Sequence, residues 1–326
     1  MAARRSAGAP RGPNPADRAW SAGLHLLGGS ILVLAGLITV ELESVARPVR
    51  QLGLVNYLFG SAWDPVSGLF GALPFVYGTL VTSAVAMAIA LPVSVGLALF
   101  LSEMGTKRLR PIVGFAIETL AAIPSVVYGL WGLFVLVPLL RDPIQPFLGK
   151  WLGFLPLFKG PPIGLGFLAA GIILAVMILP TIASVTIEVL KTVPEPLKEG
   201  ALSLGATRWE AIRMAVLPYA RPGIVGAALL GLARALGETM AVTMVIGNSP
   251  EIHASLFAPG YTLPAVIANE FAEAVTQLHT GALAGLALVL FGLTVLLNAG
   301  ARLLVHAVAR GPAGAQTCRT TARARP

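Results

Sequence analysis

Five stretches of this chain run for about the thickness of a bilayer without a charged residue: 24–40, 75–102, 119–140, 160–187 and 280–301. A sixth, 222–248, is apolar apart from Arg234 and Glu238. A helix needs about 20 predominantly apolar residues to cross the hydrocarbon core. Only helices and closed barrels satisfy their own backbone polar groups there. Barrel strands would alternate in hydropathy over segments of about 10 residues, and these blocks do not alternate. The expected fold class is therefore all-α, a polytopic membrane protein of six transmembrane helices. Charged residues make up 12% of the chain and the mean hydropathy is +0.81, whereas soluble domains carry about 25% charged residues.

The first block carries Arg4, Arg5, Arg11 and Arg18 ahead of it, as a cleaved signal peptide would, and Ser44, Val45 and Ala46 resemble a small-residue cleavage site. Its apolar run is longer than the usual core of a signal peptide, and we read it as a retained span. With loops assigned alternately to the two sides, one side holds 17 of the 23 Lys and Arg residues and the other holds 5, Arg234 being the remainder. The positive-inside rule then places both termini in the cytoplasm. The net charge of +8 is accounted for by a basic face beside anionic membrane lipid and implies no nucleic acid. Cys318 is the only cysteine, and His25, His253, His279 and His306 are scattered, so no metal-ligand spacing exists.

Residues 1–18 and 311–326 are rich in Arg, Ala, Gly and Pro and are expected to be disordered basic tails. Between them lies one transmembrane domain, 19–310. Its external loops are 41–74, with turn signals at Gly60 and Asp64-Pro65, then 141–159, then 249–279, which has no Lys or Arg and in which 263–278 reads as a short amphipathic helix. Pro92, Pro124 and Pro180 interrupt spans and are expected to kink them.

Two features carry functional content. The cytoplasmic loop 192–221 is too long for a simple connection and too apolar for a solvated linker. It reads as a helix over 196–204, a turn at Gly205, and a second short helix capped by Thr207 with Glu210 completing a capping box. Trp209, Ile212 and Val216 recur at helical spacing as an apolar stripe available to a partner. In the fifth block, Arg234 and Glu238 lie four residues apart, a spacing that stacks them on one helical face. A charge at mid-bilayer is expensive and persists when paired or facing a water-filled path. The pair is read either as a structural lock or as a site at which the Arg234 fork meets an oxyanion, with Glu238 holding Arg234 between passages. Glu118 is a second candidate partner, or a snorkelling carboxylate. A neighbouring face bearing Gly223, Ala227, Gly231 and Ala235 permits close helix approach.

The loop resembles the signature of import permeases of the ATP-binding-cassette class: E-A-A, three residues, G, nine residues, I, one residue, L-P. Glu199, Gly200 and Ala201 fill the first part, Gly205 stands at the required place, and Leu217 and Pro218 close it; Gly200 replaces an alanine and Ala215 the isoleucine. The segments ARALGETMAVTMVIGN from Ala233, ETLAAIPSVVYGLWGL from Glu118 and SLFAPGYTLPAVIANEFAEA from Ser255 are similar to the permeases of ATP-driven phosphate importers, PstC type. The resemblance covers about 76–305. It implies a type I importer permease fold in a bacterial inner membrane, and a coupling loop comprising Glu199, Ala201, Gly205, Leu217 and Pro218. The implied partners are a sister permease (PstA type), an ATPase (PstB type) and an extracytoplasmic phosphate-binding protein (PstS type), with inorganic phosphate as cargo.

Such a chain is not itself an enzyme and holds no cofactor. The sequence contains no G-x-x-x-x-G-K-[ST], so ATP and magnesium are expected on the partner ATPase, and Arg234, Glu238 and Glu118 in the translocation path. The rival readings are a permease of the same class for another oxyanion such as sulfate or molybdate, an ion-coupled secondary carrier, for which no internal repeat speaks, and a membrane scaffold or sensor that carries nothing.

Overall fold

The computed structural model describes residues 15–106 and 108–309. The expectations for residues 1–14 and 310–326, with Cys318, lie outside the described residues; residues 15–18 open the first helix, Pro15–Ala46. Among the described residues six helices are long and apolar enough to cross a membrane: Trp20–Arg50, Leu73–Met104, Ser125–Leu152, Phe167–Lys191, Arg208–Gly237 and Gln277–Leu303. They are numbered here as the first to sixth spans.

The fourth span is the axis of the bundle. Ile173, Leu174, Met177, Ile178 and Ile182 are fully buried along it, against the second, third and fifth spans. Small residues bring the neighbours close. A Cβ on Gly171 would collide with Val85 of the second span, and one on Gly231 would lie 2.6 Å from Ile182 Cδ1. The Gly223, Ala227, Gly231 and Ala235 face of the fifth span accordingly packs on the fourth span, with Gly223 set against Val189. The first span lies along the sixth and buries little of its apolar surface.

Proline acts differently at different places. Pro92 and Pro180 sit inside helices that continue through them. Pro124 breaks the chain: Ile123 is extended, as the residue before proline prefers, and helix Leu109–Ala122 is thereby separated from the third span. The third span consequently starts at Ser125 and reaches Leu152, beyond the expected end at 140. Three widened turns, Gly132–Leu136, Leu140–Ile144 and Ile212–Val216, each precede a proline by two residues: Pro138, Pro146 and Pro218. A proline ring clashes with the carbonyl four residues earlier, and a wider turn there relieves the clash without ending the helix.

On one end of the bundle Trp63–Asp64 pairs antiparallel with Leu69–Phe70 around the expected turn at Asp64-Pro65. Trp63 packs edge-on against Phe70 and Phe75, and its indole donates to Glu270 at 2.9 Å. The expected amphipathic helix over 263–278 is shorter, Leu263–Glu270; its first four residues are buried, and Leu263, Ala265 and Val266 pack into this aromatic cluster.

Candidate translocation and coupling site

The fifth span ends at Gly237. Glu238 has extended backbone angles, φ −71° and ψ 129°, and its carboxylate accepts from the Ala241 amide at 3.4 Å, at the start of the short helix Met240–Val245. This corrects the expectation of an i, i+4 pair. Arg234 lies in the last helical turn and Glu238 is already outside it, so the two do not stack, and no ion pair joins them among the described residues. A carboxylate satisfying a free amide at a helix start competes with continuing the helix. Glu238 therefore shapes a break and does not hold Arg234.

Arg234 instead donates from Nη1 to Thr181 Oγ1 of the fourth span at 3.3 Å, one residue beyond Pro180. Tyr128, whose hydroxyl bridges the Pro124 break by donating to the Leu120 carbonyl at 2.8 Å, lies within electrostatic reach of Arg234. The guanidinium is exposed in the single chain. Among the described residues its one hydrogen-bond partner is the Thr181 hydroxyl, which leaves fork donors available to an anion. Thr181 and Tyr128 were not marked in the sequence, because a lone Thr or Tyr in an apolar helix carries no periodic signal.

Glu118 is exposed on helix Leu109–Ala122 and lines a cavity of about 650 Å³ together with Arg110, Ser184, Glu188, Lys191 and Lys198. Arg234 does not line that cavity. Ser184, which does, lies one turn along the fourth span from Thr181. The structure thus places Arg234 and Glu118 in adjoining regions beside the fourth span and does not bring them into contact.

The loop forms as its local sequence directs. Helix Glu195–Ser203 ends in a two-bond cap: the Gly205 amide donates to Leu202 O at 3.0 Å and the Ala206 amide to Ala201 O at 3.2 Å, with Gly205 at φ +87°. Thr207 and Glu210 then form the capping box, the Thr207 amide donating to Glu210 at 2.7 Å. The second helix is not a separate element. Arg208–Ala211 continues through the widened turn before Pro218 into the fifth span, carrying Leu217 and Pro218 with it. This rigid join alters the apolar stripe. Val216 is buried in the chain's own core beside Ala98, Leu190, Val193 and Ala220, and Ile212 is buried as well, whereas Leu202, Leu204, Trp209 and Met214 are exposed. Leu204, beside the Gly205 turn, is 90% exposed. Glu199 is exposed and Ala201 half-buried.

Lys198, on the inner face of helix Glu195–Ser203, meets Glu103 at 2.8 Å and Glu195 at 3.5 Å. Burial pulls the Lys198 pKa down, but the hydrogen bond and charge of Glu103, then Glu195, outweigh it and leave the pKa raised. The sequence reading counted Lys198 only as a positive charge. Its partner is 95 residues away, beyond any helical spacing.

The family of "binding-protein-dependent transport system inner membrane component" matches residues 90–310. The likeness to phosphate importer permeases of PstC type is borne out as well. The chain is 48% identical over 279 residues to the phosphate transport system permease protein PstC of Mesorhizobium japonicum, covering 84% of this chain and 85% of that protein. It is 47% identical over 293 residues to that of Xylella fastidiosa strain Temecula1, covering 88% and 90%. A probable PstC of Methanocaldococcus jannaschii is 38% identical over 271 residues, covering 82% and 85%. Among solved structures, a chain of a bacterial alginate ABC transporter, in complex with a pentasaccharide-bound periplasmic protein, superposes with a TM-score of 0.56 at 18% identity, over 88% of this chain and 96% of that one. At that identity the likeness establishes the fold alone, a multi-pass permease fold. With its fold and more than half its length matched, this chain belongs to the family of inner membrane components of binding-protein-dependent transport systems.

Proposed function

We propose that this chain is a permease subunit of an ATP-driven importer of inorganic phosphate. The observation that carries the substrate is the 48% identity, over most of both chains, to a protein named for phosphate transport. The chain forms one side of the path, with a sister permease completing it, and an extracytoplasmic binding protein delivers the ion. ATP and magnesium are bound on a separate ATPase, and both termini lie on the ATPase side, in keeping with the excess of Lys and Arg there.

In this reading Arg234 meets phosphate in transit. A guanidinium whose one hydrogen bond among the described residues is to a hydroxyl at 3.3 Å keeps donors for an oxyanion and has no ion pair to break among those residues. Glu238 contributes indirectly, by fixing the helix break beyond Arg234, and Glu118 lines the neighbouring cavity, which serves as the cytoplasmic mouth of the path. Exposed Leu204 and the turn at Gly205, flanked by Glu199 and Ala201, seat in the ATPase, and the continuous helix through Leu217 and Pro218 carries its movement into the fifth span.

Arg234→Gln and Arg234→Lys test the path. Both complexes are expected to assemble, and uptake of labelled phosphate into vesicles loaded with ATP is expected to fall strongly in both, because lysine keeps the charge and loses the fork. Near-normal uptake by Arg234→Gln would remove Arg234 from the path. Uptake that persists without ATP would remove the importer reading itself.

A further inference from the structure

Beside its apolar contacts, the coupling loop is joined to the second span by a largely buried ion pair. Lys198 Nζ lies 2.8 Å from Glu103 Oε1, with the two side chains only 17% and 13% exposed. Glu103 sits in the widened last turn of the second span, Phe100–Met104. The other side of that turn is gripped by Arg110, which donates from Nη2 to Ser102 O at 2.8 Å and from Nε to Gly105 O at 3.1 Å. Arg110 belongs to helix Leu109–Ala122, the helix that bears Glu118 and forms one wall of the cavity described above. A chain of charged contacts therefore runs from helix Glu195–Ser203 through Lys198 and Glu103 to the end of the second span, and through Arg110 to the cavity wall. Separating charges at this depth leaves each one poorly solvated. Such a contact transmits displacement where an exposed pair would slip.

We propose that the Lys198–Glu103 pair is a transmission link: movement of helix Glu195–Ser203 pulls the cytoplasmic end of the second span and, through Arg110, the wall of the cavity. Lys198 and Glu103 are positioning residues that never touch the cargo. The loop is joined covalently to the fourth and fifth spans, and this ionic route adds a link to the second span, which opens the cavity. The inference rests on the proposed role of this loop as the ATPase contact.

The test uses the complete complex with its ATPase and binding protein, reconstituted in vesicles, and reads phosphate taken up per ATP hydrolysed. Lys198→Met and Glu103→Gln are each expected to assemble, to keep hydrolysing ATP, and to lower that ratio by about tenfold. Lys198→Arg is expected to retain it. The exchange Lys198→Glu with Glu103→Lys restores the pair in reverse and is expected to recover most of the ratio, which a merely destabilised complex would not do. An unchanged ratio in both single variants overturns the link, and so does failure of the exchanged pair to recover in an assembled complex. Gly205→Pro separates this inference from its premise. If Gly205→Pro uncouples hydrolysis from uptake and Glu103→Gln does not, only the link fails. If Gly205→Pro leaves stimulation and uptake intact, the coupling role of the loop fails.

Discussion

The first and fourth spans are nearly the same object in sequence and opposite objects in the fold. Their most apolar stretches have mean hydropathies of 2.0 and 2.4. None of that stretch is buried in the first span, and 67% of it is buried in the fourth. Lipid is as apolar as a packed protein interior, so hydropathy registers that a segment leaves water and says nothing about what it meets. What separates the two is the shape of the neighbours. Gly171 on the fourth span and Gly231 on the fifth sit where a single added carbon would strike Val85 or Ile182, whereas Gly28, Gly29 and Gly36 of the first span have nothing within 4 Å.

The strongest way to break this comparison is to remove matched side chains from the two helices. Ile178 is fully buried and Leu32 is 76% exposed. Ile178→Ala is expected to cost about 2–5 kcal/mol, since the surrounding helices close only partly over the void. Leu32→Ala is expected to change stability by less than about 0.5 kcal/mol. Thermal unfolding of the isolated chain in detergent measures both, and equal losses would show that the first span is packed within the chain after all.

Adding a carbon sharpens the same contrast with the sign reversed. Gly171→Ala is expected to destabilise by about 1–3 kcal/mol through overpacking against Val85. Gly36→Ala, in open helix, is expected to stabilise by about 0.5–1 kcal/mol through lost backbone freedom in the unfolded chain. Two shifts of the same sign in the melting temperature would contradict the packing described here.

The most local expected effect lies where the loop gives way to the fifth span. Thr207→Ala removes the side chain that caps the start of Arg208–Ala211 and is expected to cost about 1 kcal/mol locally. Amide hydrogen exchange at residues 207–211 should quicken while the fourth-span core, with Ile178, keeps its protection. Faster exchange throughout the fourth span would mean that the cap holds the bundle and not only its own turn.

Local features of this chain were legible because their partners are close in sequence. The Gly205 turn, the Thr207–Glu210 box and the Asp64-Pro65 turn each close over a few residues, and all three formed as read. The small-residue face of the fifth span also packed as expected, since a ladder of Gly and Ala has few other uses in a membrane helix. The stripe of Trp209, Ile212 and Val216 was misassigned because helical spacing identifies an apolar face without saying whether its own core or a partner covers it. The Arg234–Glu238 pair failed for a related reason. Spacing of four implies contact only while the helix lasts, and this one stops at Gly237.

The sequence by itself determined how many segments cross the membrane, where the loop between the fourth and fifth spans turns, and which family the chain resembles. Each follows from residue type or short-range spacing, because transfer out of water and local capping depend little on the rest of the fold. Only the tertiary structure decided that the fourth span is the axis, that Arg234 rests on Thr181, and that Lys198 finds Glu103. Those contacts join residues 53 and 95 positions apart. What selects them is the way close-packed helices fit together, a property of shape that no periodicity along one helix encodes.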